Sequence, residues 1–105
     1  MADNQAEIIK KIKCYLKKVS QNGFKIKQAY LYGSYARGKQ RKNSDIDVAI
    51  VSPAFSADFV TNYVVLARLR KNIDIRIEPK AFLPEEFVDE HPLVWEIKQY
   101  GILLK

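Results

Sequence analysis

Residues 31–51 read LYGSYARGKQRKNSDIDVAIV, two apolar segments with the character of strands joined by a polar break. The first segment ends at Gly33-Ser34, a basic loop punctuated by Gly38 follows, and the second carries Asp45 and Asp47 at alternate positions. In a strand, alternate side chains share a face, so the two carboxylates are expected about 6 to 7 Å apart on one side. Two acids on a hydrophobic strand cost free energy unless something cationic sits on them. A glycine–serine turn offers backbone N–H groups and a hydroxyl to a phosphate, and a side chain at Gly33 would hold phosphate oxygens away from the backbone. Together these features point to metal-dependent chemistry on a nucleotide.

Composition sets the frame around that stretch. The 105 residues are expected to form a single domain spanning 1–105. At 48% hydrophobic and 29% charged, the chain is of globular and not disordered composition. Eighteen Lys and Arg against 12 Asp and Glu give a net charge of +6, which suits acidic ligands such as nucleotides, RNA or an acidic protein surface. A lysine-rich solvated helix accounts for the same balance, and direct nucleic-acid binding is not the favoured reading. A lone cysteine, Cys14, leaves no internal disulfide, fits a reducing compartment and is read as structural. No apolar run reaches transmembrane length and the polar N-terminus lacks a signal-peptide pattern, so a cytoplasmic protein without membrane association is expected.

Along the chain, residues 4–20 have the period of a helix, with Ile8, Ile12, Tyr15, Leu16 and Val19 in one stripe. Asn4 and Glu7 fit a capping box and Gly23 a stop. A first strand is expected over 26–32, a short helix over 34–37, and a second strand over 44–51. A second helix over 58–71 shows a broad apolar face, from Phe59, Tyr63, Leu66 and Leu69 together with Val60, Val64 and Ala67. The cleanest alternation in the chain, Ile73, Ile75 and Ile77 against Asp74, Arg76 and Glu78, predicts a third strand over 73–77 stopped by Pro79. A short helix over 84–89, another over 93–100 and an edge strand or packed tail at 102–104 complete an α/β (α+β) order, with helices covering a small sheet.

On this layout Asp74 faces the same region as Asp45 and Asp47. Three converging carboxylates make an oxygen-rich site of the kind Mg²⁺ takes, with waters and substrate phosphates completing the shell. Two ions about 4 Å apart would align a hydroxyl and a triphosphate for in-line displacement, and Asp74 would help remove the hydroxyl proton. Arg76 shares its strand face, so an Asp74–Arg76 ion pair is the alternative. Arg37, Lys39, Arg41 and Lys42 either attract a nucleotide or form an ordinary solvated loop, with Arg37 favoured for the nucleotide because it lies beside the phosphate turn. His91 is read as a helix-end residue. Tyr30, Tyr32, Tyr35, Tyr63 and Trp95 are assigned to the core or a partner surface, with Tyr35 in reach of a base.

Gly33-Ser34, ten residues, then Asp45-x-Asp47 form the pattern G-S-x10-D-x-D, which resembles the signature of the DNA polymerase beta-like nucleotidyltransferase superfamily. GSYARG, SDIDVAIV and the closing PLVWEIKQYGILLK are similar to its small prokaryotic branch, the minimal nucleotidyltransferases. The resemblance implies a small mixed sheet flanked by helices and Mg²⁺-dependent transfer of a nucleoside monophosphate from an NTP, ATP being the expected donor. It implies that Gly33 and Ser34 hold the triphosphate, that Asp45 and Asp47 bind both metals, and that Asp74 completes the site. It further implies a HEPN-domain ribonuclease toxin as partner, in a hetero-oligomer or beside a homo-oligomer, silenced by AMP on a tyrosine. The alternative is an antitoxin that keeps these acids but only masks its toxin.

Overall fold

The cap expected at the first helix is reciprocal. Asn4 Oδ1 accepts from the Glu7 backbone N–H at 2.9 Å and Asn4 Nδ2 donates to Glu7 Oε1 at 2.7 Å. From that cap α1 runs Gln5–Gln21 and buries the stripe Ile8, Ile12, Tyr15, Leu16 and Val19. Gly23, at φ +95°, turns the chain away from it. The computed structural model describes residues 4–105. The remaining elements are β1 (Gln28–Tyr32), β2 (Ile46–Val51), α2 (Phe59–Leu69), β3 (Ile77–Phe82), α3 (Pro92–Tyr100) and β4 (Ile102–Leu103), with one 3-10 turn at Pro84–Glu86.

The four strands form one mixed sheet in the order β3-β2-β1-β4. β1 is antiparallel to both β2 and β4, whereas β2 and β3 are parallel and joined by α2 as their crossover. Period-two alternation divides the core. Leu31, Ile46, Val48, Ile50 and Ile77 pack with the α1 stripe and Leu66 on one face. Tyr30, Ala49, Val51 and Phe82 pack with Phe87, Val94 and Ile97 on the other. The Tyr15 hydroxyl donates to the Leu66 carbonyl at 2.7 Å, tying α1 to α2 inside the core. Burial pushes that phenol above its ordinary range.

Three expectations are corrected. The 34–37 helix is a turn, in which the Arg37 N–H bonds the Gly33 carbonyl at 3.3 Å and the Lys39 N–H bonds the Ser34 carbonyl at 2.9 Å. The third strand begins at Ile77, where the alternation was expected to end, and continues through Pro79 to Phe82. Residues 73–76 are instead turns at the end of α2: Asn72 sits at φ +70°, and the Ile73 and Asp74 N–H groups bond the Arg70 carbonyl. Pro79 is tolerated because β3 is an edge strand, where a missing N–H need not break a ladder. Ile75, read as half of an apolar face, is 78% exposed.

The apolar face of α2 is the third correction. Only Asn62 and Leu66 are buried on that helix, while Phe59, Val60, Tyr63 and Val64 stand exposed. Cys14, read as structural, is a free cysteine exposed on α1. The tail does form an edge strand, with Ile102 and Leu103 opposite Leu31 and Tyr30. His91 caps α3, its Nδ1 accepting from the Leu93 N–H at 3.2 Å. No helix among the described residues is long and apolar enough to cross a membrane.

Candidate active site

Strand register brings the acids together at one end of the sheet. Tyr32 at the end of β1 lies opposite Asp47, and Asp47 lies opposite Glu78 of β3. Directly paired residues share a face, so Tyr32, Asp47 and Glu78 form a row, with neighbouring strands about 5 Å apart. The next row on that face, Tyr30, Ala49 and Lys80, leads into the core under α3. Asp45 comes one residue before β2 and is exposed at the open end of the row.

Electrostatically the row lacks compensation. Among the described residues neither Asp45 nor Asp47 has an ion pair, and Glu78 has only a 3.8 Å contact to Arg70 Nη1. Burial, then the charges of Asp45 and Glu78, push the Asp47 carboxyl up to about 6. Tyr32 is pushed up to about 12 by burial and by Asp47, Glu78 and Glu96, so it remains a protonated hydroxyl. A divalent cation would relieve this repulsion. No three described Asp, Glu, His or Cys side chains converge on one point, so an ion held here would take one or two carboxylates and fill its shell with water and phosphate oxygens. That is the usual arrangement of Mg²⁺ at nucleotide sites.

Gly33 is required by the same row. Its φ of +76° lies in the left-handed region, and a Cβ built there would overlap the Asp47 carboxylate. The glycine therefore lets the acid lie against the turn, and Gly33 and Ser34 of that turn line a small cavity of about 250 Å³. Arg37 lines that cavity with Tyr32, Glu96, Tyr100 and Gly101. Its guanidinium sits 4.5 Å over the Tyr100 ring and 3.6 Å from Glu96. The Arg37 charge is thus held beside Gly33 and Ser34, where a triphosphate would need it.

Asp74 lies outside the row. Its carboxylate accepts from Arg76 Nη2 at 2.6 Å, Arg76 Nε at 3.0 Å and Lys11 Nζ at 3.1 Å, with its side chain 7% exposed. Of the two alternatives for this residue, the ion pair is the one adopted. The Arg76 and Lys11 hydrogen bonds hold its carboxyl far below the usual carboxylate range. Arg76 also donates to the Tyr35 hydroxyl at 3.1 Å, and Tyr35 is fully buried, which removes it from any contact with a base. The third acid beside Asp45 and Asp47 is Glu78. It was missed because Pro79 was read as a strand stop, although Glu78, Lys80 and Phe82 keep the alternation that marks a strand. Lys39, Arg41 and Lys42 remain an exposed loop.

A second, larger cavity of about 370 Å³ opens on the other side of Glu78, between α2 and the β3 edge. Tyr32, Phe59, Tyr63, Pro79, Lys80 and Ala81 line it with Glu78. The acidic row thus has a polar cavity on its Gly33 flank and an aromatic one on its β3 flank.

Residues 10–104 match the family model described as "Polymerase beta, Nucleotidyltransferase". A protein adenylyltransferase named MntA from Shewanella oneidensis is 32% identical over 63 residues, covering 60% of this chain and 45% of that protein. The aligned part therefore spans less than half of that relative's length. Among solved structures, a toxin–antitoxin complex with AMP-PNP superposes with a TM-score of 0.65 at 28% identity, covering 92% of this chain and 72% of the other. A mutant MntA–HpeT toxin–antitoxin structure gives a TM-score of 0.63 at 26% identity, covering 89% and 70%.

Proposed function

Given that the chain belongs to the polymerase beta nucleotidyltransferase family, we propose that it transfers AMP from ATP to a tyrosine hydroxyl of a HEPN ribonuclease toxin and so acts as its antitoxin. The observation that carries this reading is the pair Asp45 and Asp47, neither of which has an ion-pair partner among the described residues, with Asp47 packed against Gly33. Such a pair is expensive in a protein of this size unless it serves a cation-dependent site. The names of the relatives, a protein adenylyltransferase and toxin–antitoxin complexes, support the donor and the kind of partner.

In this proposal Gly33, Ser34 and Arg37 bind the β- and γ-phosphates through backbone N–H groups, a hydroxyl and a guanidinium. Asp45 and Asp47 hold Mg²⁺, and Glu78 takes over from Asp74 only the part of proton acceptor, not that of a metal ligand. When bound, Mg²⁺ would neutralise charge on the triphosphate and lower the proton affinity of the acceptor hydroxyl. The acceptor oxygen forms its bond to the α-phosphorus while the bond to the bridging oxygen breaks, and that electron pair leaves with pyrophosphate. Glu78 takes the hydroxyl proton. Arg76 and Lys11 position the start of β3 through Asp74.

Incubation with α-labelled ATP, Mg²⁺ and a purified HEPN-domain toxin tests the reading. Label on a tyrosine of that protein, lost with Asp47→Asn, is the expected result. Full toxin neutralisation by an Asp45→Asn, Asp47→Asn double variant would instead identify an antitoxin that works by masking alone.

A further inference from the structure

We propose that the exposed face of α2, with the groove it forms against the β3 edge, is the surface on which the acceptor polypeptide docks. This deepens the transfer reading above and rests on it for the identity of the reaction. Three observations carry it.

The first is direction. Phosphoryl transfer places the attacking and leaving oxygens roughly in line. Gly33, Ser34 and Arg37 lie on the β1 flank of the Tyr32–Asp47–Glu78 row, so pyrophosphate departs there. The incoming hydroxyl then has to approach from the opposite flank, past Glu78. That approach is the cavity between α2 and β3, about 370 Å³ in volume and lined by Phe59, Tyr63 and Lys80. This volume is near the low end of small-ligand pockets, about 300 to 1,000 Å³, and suits one inserted side chain better than a whole nucleotide.

The second is the character of the rim. Phe59 is 77% exposed, Val60 54%, Val64 41% and Tyr63 37%. These residues recur at i, i+1, i+4 and i+5, so they form a single strip along two turns of α2. The Asn62 side chain holds the N-terminal part of the helix against the preceding loop, accepting from the Ser56 N–H at 2.9 Å and donating to the Ser56 carbonyl at 2.8 Å. The strip is therefore presented by a fixed element. Aromatic and aliphatic side chains clustered beside a pocket are the composition of protein-interface centres.

The third is charge. The chain carries 18 Lys and Arg, yet none falls between Asn43 and Ala67, the segment that supplies the rim. A nucleic-acid acceptor would need cations tracking its phosphates, and Lys80 is the one basic residue lining the cavity. A small hydroxyl compound would leave most of the strip uncovered. A polypeptide that inserts a hydroxyl-bearing side chain and covers the strip with apolar residues fits all three observations.

Two variants with intact cavity lining test this: Val64→Glu alone and Val60→Glu with Val64→Glu. Folding is followed by circular dichroism and nucleotide binding by the shift in melting temperature on adding ATP and Mg²⁺. A purified HEPN-domain toxin that the unaltered protein binds serves as the probe. The double variant is expected to weaken its Kd at least tenfold and to raise KM for the protein, not for ATP. Wild-type Kd and wild-type labelling in the folded double variant would overturn the docking surface while leaving the transfer reading in place. If the unaltered protein binds the partner but transfers no label, the transfer reading fails, and the Kd series alone decides whether α2 is the docking face. Labelling of an RNA 3′ end or a small alcohol in preference to the protein would also overturn it.

Discussion

Replacing Asp47 by Asn should make the protein more stable and abolish its activity together. The carboxyl of Asp47 is raised from 3.8 to about 6 by burial, Asp45 and Glu78. At about 1.4 kcal/mol for each tenfold change in proton affinity, the penalty on the ionised form is at most about 3 kcal/mol. The side chain is only half-buried, so solvent screening reduces this to about 1–2 kcal/mol. An acid raised above its ordinary value costs nothing while it is protonated in both folded and unfolded chains. It begins to destabilise the fold as pH passes about 4 and carries its full cost above about 6. The metal-free wild type should therefore lose stability between about pH 4 and 6, and Asp47→Asn should not. At pH 8 the variant should melt about 4–16 °C higher, given about 4–8 °C per kcal/mol for a domain of this size. At pH 3.5 the two should coincide apart from the packing cost of the amide, so the difference between the two pH values isolates the charge. Thermal melts with and without Mg²⁺ and ATP supply the assay: ligand should raise the wild-type melting temperature and leave the variant unmoved. A variant less stable than wild type at pH 8, or an advantage equal at both pH values, would refute the reasoning.

Other outcomes follow from the same geometry. Gly33→Ala should cost about 1–2 kcal/mol from its positive φ, and more from overlap with Asp47; denaturant unfolding measures the loss, and transfer should fall with it. Glu78→Gln should lower transfer by about 10²- to 10⁴-fold if Glu78 is the base, read as kcat in label transfer, with the fold retained by circular dichroism. Asp74→Asn should destabilise by about 1–3 kcal/mol because Arg76 and Lys11 lose their acceptor. Since the Asp74 carboxyl is depressed, its contribution is present above about pH 4 and disappears as the acid protonates, so wild type and variant should converge in urea melts at low pH. Leu66→Ala, which opens the core between α1 and α2, should cost about 2–5 kcal/mol in the same melts.

Much of this molecule could be read from its residues because the informative signals were local. The Ile8, Ile12, Tyr15, Leu16 and Val19 stripe and the Asn4–Glu7 cap each depend on residues a turn apart, and both occur as read. Gly33 and Asp47 could be paired because a fixed spacing joined two recognisable anchors. Glu78 depended on register, which a single sequence does not display. Ile73, Ile75 and Ile77 alternate as a strand would, yet Asn72 and the Arg70 carbonyl fold the first of them into a turn. The alternation was local and real, but it belonged to a helix exit. Likewise the apolar residues of α2 matched a core face in period, and only the tertiary arrangement shows that the helix meets β3 through Leu66 and leaves Phe59 and Val60 in solvent.

Pro79 has a consequence for self-association. Arg76 and Phe82 direct their carbonyls to β2, accepting from Ile46 and Ser52, so the backbone groups of Ile77, Pro79 and Ala81 point outward. Along that border Ile77 already donates to the Asp74 carbonyl and accepts from Arg70 Nη1. Pro79 contributes no donor at all. An extended segment from another chain would find a ladder with its first rungs occupied and its next one missing, so growth of the sheet into aggregates is blocked on this side. A partner approaching here is left with side chains to recognise, and the mouth beside Glu78 stays open.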